Sequence, residues 1–273
     1  MWTAEVKVGP VKFNKSVRIE SIMPNRLKIK LAMPDEKVLY PSPDQVIQLQ
    51  TAWLTGATAK ELPVKMSVAL SAVKTEFSKF KDYVFDDNTL TFEAQQLSLF
   101  DGKTDETGKV NIPLKIEIKE NAPGMLKAAF NTMVFEPGGS FSVDRYNMLY
   151  SPYKIYAGIK LPSGERNSGI LYTERDQTIE IATVDASGKP VSRSNLKFEL
   201  YKLEWRWWWD QYRGELANYA NDEYHKPVQV QNISSNNGKA SVKVRIADNN
   251  WARYLIRVIY LDGGHASSVV TSF

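Results

Sequence analysis

Alternation of apolar and polar residues recurs along most of the chain and constrains its fold more than any other feature. Every second residue is apolar in "LPVKMSVAL" (62–70), "KVNIPLKIEI" (109–118) and "KASVKVRI" (239–246). This is the pattern of a strand with one buried face. Helical periodicity is rare, and "KTEFSKFKDYVF" (74–85) is the one moderate candidate for a helix. The sequence therefore predicts an all-β protein.

The strands recur in the same order in the two halves of the chain. "VLYPSPDQVIQLQ" (38–50) resembles "ILYTERDQTIEIA" (170–182), and "ETGKVNIPLKIEI" (106–118) resembles "NNGKASVKVRIAD" (236–248). An alternating apolar triad lies between these segments in both halves: Val64, Met66 and Val68, then Leu196, Phe198 and Leu200. A spacing of about 130 residues is too long for a solenoid or a propeller blade. It predicts a tandem duplication, and about seven strands per copy with hairpin-type turns are typical of an antiparallel β-sandwich.

The junctions between the copies indicate the domain boundaries. Residues 13–24 run from a phenylalanine to a proline, and residues 141–152 do the same over an equal length. We therefore expect one sandwich at residues 25–152, a second at residues 153–273, and the terminal strands of a preceding copy at residues 1–24. The first residues do not have the basic and apolar regions of a signal peptide. We expect the chain to be part of a longer row of such domains.

Four of the seven tryptophans lie within five positions, in "LEWRWWWDQYRG" (203–214). On a strand, Trp205, Trp207 and Trp209 would share one face. The apolar triad that precedes them is even-numbered, so the apolar face changes near Tyr201. This change predicts a β-bulge, or a strand that projects from its sandwich.

A buried tryptophan removes about 200 Å² of surface from water, so several in succession are costly to leave exposed. We interpret Trp205, Arg206, Trp207, Trp208 and Trp209 as a packing surface, inside the domain or against a neighbouring one, or as an interface with a partner. A carbohydrate-binding platform is the alternative.

The composition excludes several classes of site. The chain has no cysteine, which excludes disulfides, thiolate metal sites and a cysteine nucleophile. The net charge is +4 without a basic block, so we expect no nucleic-acid partner. No apolar run approaches the ~20 residues of a membrane span.

We find no catalytic constellation and expect neither a metal nor a cofactor. His225 and His265 are isolated, without the spacing of metal ligands, and each is expected in an exposed loop or at a strand edge. Asp86 and Asp87 are adjacent, so on a strand they would point to opposite faces and could not form an acid–base pair. The sequence therefore predicts a protein that is not an enzyme.

Three segments carry a resemblance to a known family. "FNKSVRIESIMPNRLKIKL" (13–31), "SPYKIYAGIK" (151–160) and "ILYTERDQTIEIATVDASGKPVSRSNLKFELYKLEWRWWWD" (170–210) resemble macroglobulin-like domains of bacterial α2-macroglobulins. The tryptophan-rich strand and the "VDASGKPV" turn occur together in the expected order. With the strands between them, these motifs cover essentially the whole chain.

The resemblance implies a piece of a large protease-trapping inhibitor located in the periplasm, as a lipoprotein, or at the cell surface. In that family a protease cuts a bait segment, the ring of domains rearranges around it, and a Cys-Glu thioester captures it in many members. Without cysteine this chain cannot contain the thioester, and no low-complexity stretch resembles a bait. The expected partners are therefore neighbouring macroglobulin-like domains of the same polypeptide and, through the full-length protein, proteases.

Two hypotheses follow from these observations. In the first, the chain is a non-enzymatic scaffold whose sandwiches, joined at Pro24 and Pro152, have modest interfaces and change their relative orientation. In the second, it is a carbohydrate-binding or surface-adhesion tandem that uses the tryptophan-rich strand.

Overall fold

The computed structural model describes residues 2–17, 25–33, 37–41, 45–119, 121–162, 170–203, 227–247 and 252–272. All regular elements within these ranges are strands, which confirms the predicted all-β class. In this part of the chain there is no helix long and apolar enough to span a membrane.

The first sandwich has a five-stranded and a three-stranded sheet. The five-stranded sheet has the order β4-β10-β9-β6-β7, and the three-stranded sheet has the order β3-β5-β8. The strands are β3 (Leu27–Ala32), β4 (Val38–Leu39), β5 (Val46–Trp53), β6 (Pro63–Ala72), β7 (Gln95–Lys103), β8 (Lys109–Pro113), β9 (Leu126–Phe135) and β10 (Phe141–Tyr150).

The second sandwich repeats this topology strand for strand. Its sheets have the orders β12-β18-β17-β14-β15 and β11-β13-β16, so each strand lies eight places after its counterpart in the first sandwich. The strands are β11 (Ile155–Lys160), β12 (Ile170–Leu171), β13 (Asp176–Asp185), β14 (Arg193–Leu203), β15 (Gln229–Ser235), β16 (Lys239–Arg245), β17 (Ala252–Tyr260) and β18 (Ala266–Ser272).

Each sandwich has its own hydrophobic core between its two sheets. On β6, buried and exposed residues alternate along most of the strand, and Val64, Met66 and Val68 lie in the first core. Their counterparts on β14 lie in the second core. The alternation in the sequence is therefore the direct consequence of burying one face of each strand.

The predicted bulge near Tyr201 is wrong for the described part of β14. This strand pairs with β17 without interruption from Leu196 to Leu203, and its register shifts only at the other end, opposite β15. Tyr201 packs with Leu255 on the face turned away from the core. Within β14, apolar residues occupy both parities because the outer face of the strand is also covered. The alternative of a strand that projects from its sandwich concerns residues beyond Leu203, which lie outside the described residues.

The predicted helix at residues 74–85 is also wrong. Successive turns form there, with the Phe80 N–H donating to the Phe77 carbonyl (2.9 Å) and the Tyr83 N–H donating to the Phe80 carbonyl (3.0 Å). The helix-like spacing of the aromatic residues serves tertiary contacts, because their side chains are buried against the second sandwich.

The N-terminal residues form a separate hairpin of β1 (Trp2–Val8) and β2 (Val11–Val17). Among the described residues, these two strands pair only with each other. Val6 lies opposite Phe13, and both side chains are exposed. Two terminal strands of a preceding sandwich would have this form. The assignment of residues 1–24 to such a domain stays a prediction. The boundaries expected for the two sandwiches, residues 25–152 and 153–273, also stay predictions.

The contact between the sandwiches as a candidate functional site

Residues 73–94 connect β6 to β7, and we call them the docking segment. Their ends stay with the first sandwich, and the part between Phe77 and Asn88 lies against the second. Phe77, Phe80 and Phe85 are buried, and Phe85 is 0% exposed. They form a cluster with residues of β11 and β13, on faces turned away from the second core: Tyr156, Ala182 and Val184. An apolar wedge from one sandwich therefore fills a surface of the other.

The aromatic rings of this cluster meet at their edges. The ring centroids of Phe77 and Phe85 are 4.7 Å apart at an interplanar angle of 81°, and those of Phe77 and Tyr156 are 5.7 Å apart at 61°. Edge-to-face pairs add about 0.5–1.5 kcal/mol to the free energy of area burial. The contact is thus packed in the manner of a protein interior.

Two glycines of the second sandwich make room for the wedge. A Cβ atom at Gly158 would collide with the ring of Phe85. At Gly188, where φ is +82°, a Cβ atom would lie 2.9 Å from Cδ1 of Phe77. Both positions require a residue without a side chain because the phenylalanine rings approach the backbone closely.

The docking segment also forms backbone hydrogen bonds with the edges of both sheets of the second sandwich. Val84 and Ile159 exchange two hydrogen bonds of 2.8 and 2.9 Å at β11, the edge of the three-stranded sheet. On the five-stranded sheet, the edge strand β12 pairs only with the end of β18 at Thr271 and Ser272. Away from that end, the Ser267 N–H on β18 donates to the Asp86 carbonyl (3.0 Å), and Nδ2 of Asn88 donates to the Ser267 carbonyl (3.1 Å). Residues 84–88 therefore cover strand edges that a separate sandwich would expose.

A buried ion pair lies next to this backbone pairing. Asp87 is 0% exposed, and its Oδ2 lies 3.2 Å from Nη2 of Arg257, whose side chain is 9% exposed. Oδ1 of Asp87 accepts hydrogen bonds from the N–H (3.0 Å) and the hydroxyl (2.6 Å) of Thr89. Nδ1 of His265 is 3.8 Å from Oδ2 of Asp87.

These neighbours set the pKa values of the ionisable groups. Burial raises the pKa of Asp87, but the Thr89 hydrogen bonds and the positive charge of Arg257 outweigh it, so the net shift is downward. Burial lowers the pKa of His265, and the opposing attraction of Asp87 does not restore it. The arrangement therefore favours an ionised Asp87 beside a neutral His265.

Further polar groups surround Arg257 on the same sheet face. Glu199 lies opposite Arg257 in the pairing of β14 with β17, and its carboxylate accepts from the Tyr201 hydroxyl (3.0 Å) and lies 2.6 Å from Nζ of Lys197. Burial and then the contact with Glu199 raise the pKa of Tyr201 to about 12. Glu199 thus has Lys197 and Tyr201 as partners, and Arg257 has Asp87 as its carboxylate from the other sandwich.

The first sandwich does not repeat this charge arrangement. The strand registers place Ser67, Asn131 and Arg145 where the second sandwich has Glu199, Arg257 and Ser267. The duplication preserves topology and core, while the residues at the contact differ. The buried charges at the contact are therefore a feature of the second sandwich and not of the duplicated fold.

The site predicted from the sequence is the tryptophan-rich strand. Trp205, Arg206, Trp207, Trp208 and Trp209 lie outside the described residues, so their role as a packing or interface surface stays a prediction.

Sequence reasoning did not bring together the residues that meet at the contact. His265, expected in an exposed loop or at a strand edge, directly precedes β18, and its side chain is 29% exposed and faces Asp87. Asp86 and Asp87 lie in the docking segment, not on a strand, and Asp86 accepts bonds from the Thr75 N–H. The available signal was the length of the β6–β7 connection, because long loops in compact domains are often functional.

Comparisons with known proteins agree with this architecture. The family profile described as "Bacterial Alpha-2-macroglobulin MG5 domain" matches residues 25–148. The profile described as "Bacterial macroglobulin domain 6" matches residues 158–273. Together the two matches span most of the chain. A search of curated protein sequences finds no match.

Solved structures show the same fold. Trypsin-activated α2-macroglobulin from Escherichia coli is 17% identical over 99% of this chain, with a TM-score of 0.55. Salmonella α2-macroglobulin reacted with methylamine is 15% identical over 99% of this chain, with a TM-score of 0.52. This chain spans 18% of the length of each of them. It belongs to the bacterial α2-macroglobulin family and contains a macroglobulin domain of the fifth type followed by one of the sixth.

Proposed function

We propose that this chain is a non-enzymatic scaffold of a bacterial α2-macroglobulin that inhibits proteases by enclosing them. The observation that carries the proposal is the succession of two sandwiches of identical strand order, matched by consecutive macroglobulin domain profiles. One of the similar structures is an α2-macroglobulin activated by trypsin, which supports proteases as partners of the longer protein. The same relationship supports a location outside the cytoplasm.

The chemistry of the contact favours a structural role over catalysis. The carboxylate of Asp87 is fully buried and is used by Arg257 and Thr89, so it is not presented to a substrate. Nucleophilic or acid–base catalysis requires a group within reach of a reacting atom. The carbohydrate-binding alternative depends on residues 205–209, which lie outside the described residues, and it stays a prediction.

The experiment compares this chain with the full-length protein in a stoichiometric trypsin assay. An enclosed protease loses access to a large protein substrate but still cleaves a small peptide substrate. We expect the full-length protein to protect the large substrate only, and this chain to protect neither. Inhibition by this chain alone would contradict the scaffold assignment, and a full-length protein that protects nothing would contradict the trapping function.

A further inference from the structure

We infer that residues 84–88 act as a backbone segment donated by the first sandwich to the second, and that this donation makes the two sandwiches one rigid unit. The junction at Pro152 is then a fixed joint, in contrast to the change of orientation that the sequence suggested there. The inference depends on contacts within this chain, so it does not require the trapping function to be correct.

The first support is the covering of two sheet edges at once. Val84 pairs with Ile159 on the three-stranded sheet, and the Asp86 carbonyl accepts from Ser267 on the five-stranded sheet. A hinge motion would break hydrogen bonds at both edges and leave their backbone groups without these partners. The two attachments lie on different sheets, so rotation about one of them strains the other.

The second support is the combination of apolar and charged contacts on either side of these attachments. Phe77 and Phe85 are buried in the second sandwich next to Gly158 and Gly188. Separation would expose the rings to water and would break the Asp87–Arg257 ion pair. Two physically independent contributions, burial of the aromatic rings and the ion pair, therefore oppose opening of the joint.

The residues of the charge contact differ between the two sandwiches. Arg257 offers a buried cation to Asp87, whereas the equivalent position of the first sandwich is Asn131, and its Arg145 lies where the second sandwich has Ser267. The Asp87–Arg257 pair is thus particular to this joint, and the phenylalanine wedge supplies the apolar contacts beside it.

The test measures the distance between the sandwiches in the 273-residue chain. Lys103 and Lys243 are exposed, one in each sandwich, and the chain has no cysteine. Spin labels can therefore be attached specifically in the double variant Lys103→Cys/Lys243→Cys. Double electron–electron resonance should give one narrow distance distribution. A broad distribution in this otherwise unaltered chain would overturn the inference without any further variant.

A second arm breaks the joint while leaving both cores intact. Phe85→Ala and Asp87→Asn alter residues that belong to neither sandwich core, and we expect the narrow peak to be lost when they are combined. The matched control Asp101→Asn removes an exposed ion pair with Lys65 and should keep the peak. Circular dichroism of the combined variant checks that the strand content of the chain is unchanged. A folded combined variant that keeps the narrow peak would also overturn the inference.

Discussion

Replacing Asp87 by asparagine tests how much the buried ion pair contributes to the stability of the tandem. The asparagine Oδ1 can still accept from Thr89, so the change removes chiefly the charge that faces Arg257. The Asp87 side chain is 0% exposed and that of Arg257 is 9% exposed. Removing one member of a buried pair leaves the other charge uncompensated and costs about 3–5 kcal/mol of unfolding free energy.

A double-mutant cycle separates the pair from the other effects of each change. Arg257→Met removes the cation, while Glu199 keeps Lys197 and Tyr201 as partners. We expect the double variant to lose less stability than the sum of the two single variants, with a coupling of about 0.5–3 kcal/mol. The reason is that the double variant leaves no unpaired charge at the joint.

The assay is urea unfolding followed by far-ultraviolet circular dichroism, with the unfolding free energy taken from the midpoint and slope. Asp101→Asn is the matched control, because it breaks a pair whose side chains are 58% and 66% exposed and should change the free energy by no more than about 1 kcal/mol. The reasoning is refuted if Asp87→Asn costs no more than this control, or if the two single changes prove additive.

Three further predictions follow from the contact and from the tryptophan-rich segment. Gly158→Ala places a methyl group against Phe85 and should cost about 1–3 kcal/mol, measured by the same urea titration; an unchanged midpoint would contradict the close fit. Burial lowers the pKa of His265 below 6.5, so the folded state binds fewer protons there than the unfolded state. Stability should therefore decrease as the pH falls from 6.5 toward the folded pKa, and His265→Gln should remove this part of the pH dependence; a dependence equal to that of the parent chain would contradict the assignment. If residues 205–209 serve packing, tryptophan fluorescence should be blue-shifted and unaffected by added glycans, and a saturable change would favour the carbohydrate-binding alternative.

Much of the fold could be predicted because it depends on the order of apolar and polar residues within single strands. The alternation in β6 and β14 follows from burying one face of a strand, and each strand shows it without reference to any other element. The recurrence of the same strands after about 130 residues then predicts the duplication. The local pattern failed where a segment is covered on more than one side, as at Tyr201, where the outer face of β14 is also buried.

The contact between the sandwiches could not be predicted in the same way. Asp87 and Arg257 are 170 positions apart, and nothing near either residue indicates that the other is its partner. The spacing of Phe77 and Phe80 resembles that of a helix face, although the segment forms turns. The two side chains are placed by the surface of the second sandwich that they contact, so their spacing does not report the local backbone conformation.

Sequence alone thus determined the strand class, the tandem duplication and the absence of cysteine chemistry, since each of these depends on residue types and their spacing. Tertiary structure alone decided that the docking segment covers the edges of the second sandwich and that Asp87 meets Arg257 there. The physical reason is that burial of one strand face is a property of neighbouring residues, whereas the meeting of two distant charges depends on how two complete sandwiches are placed.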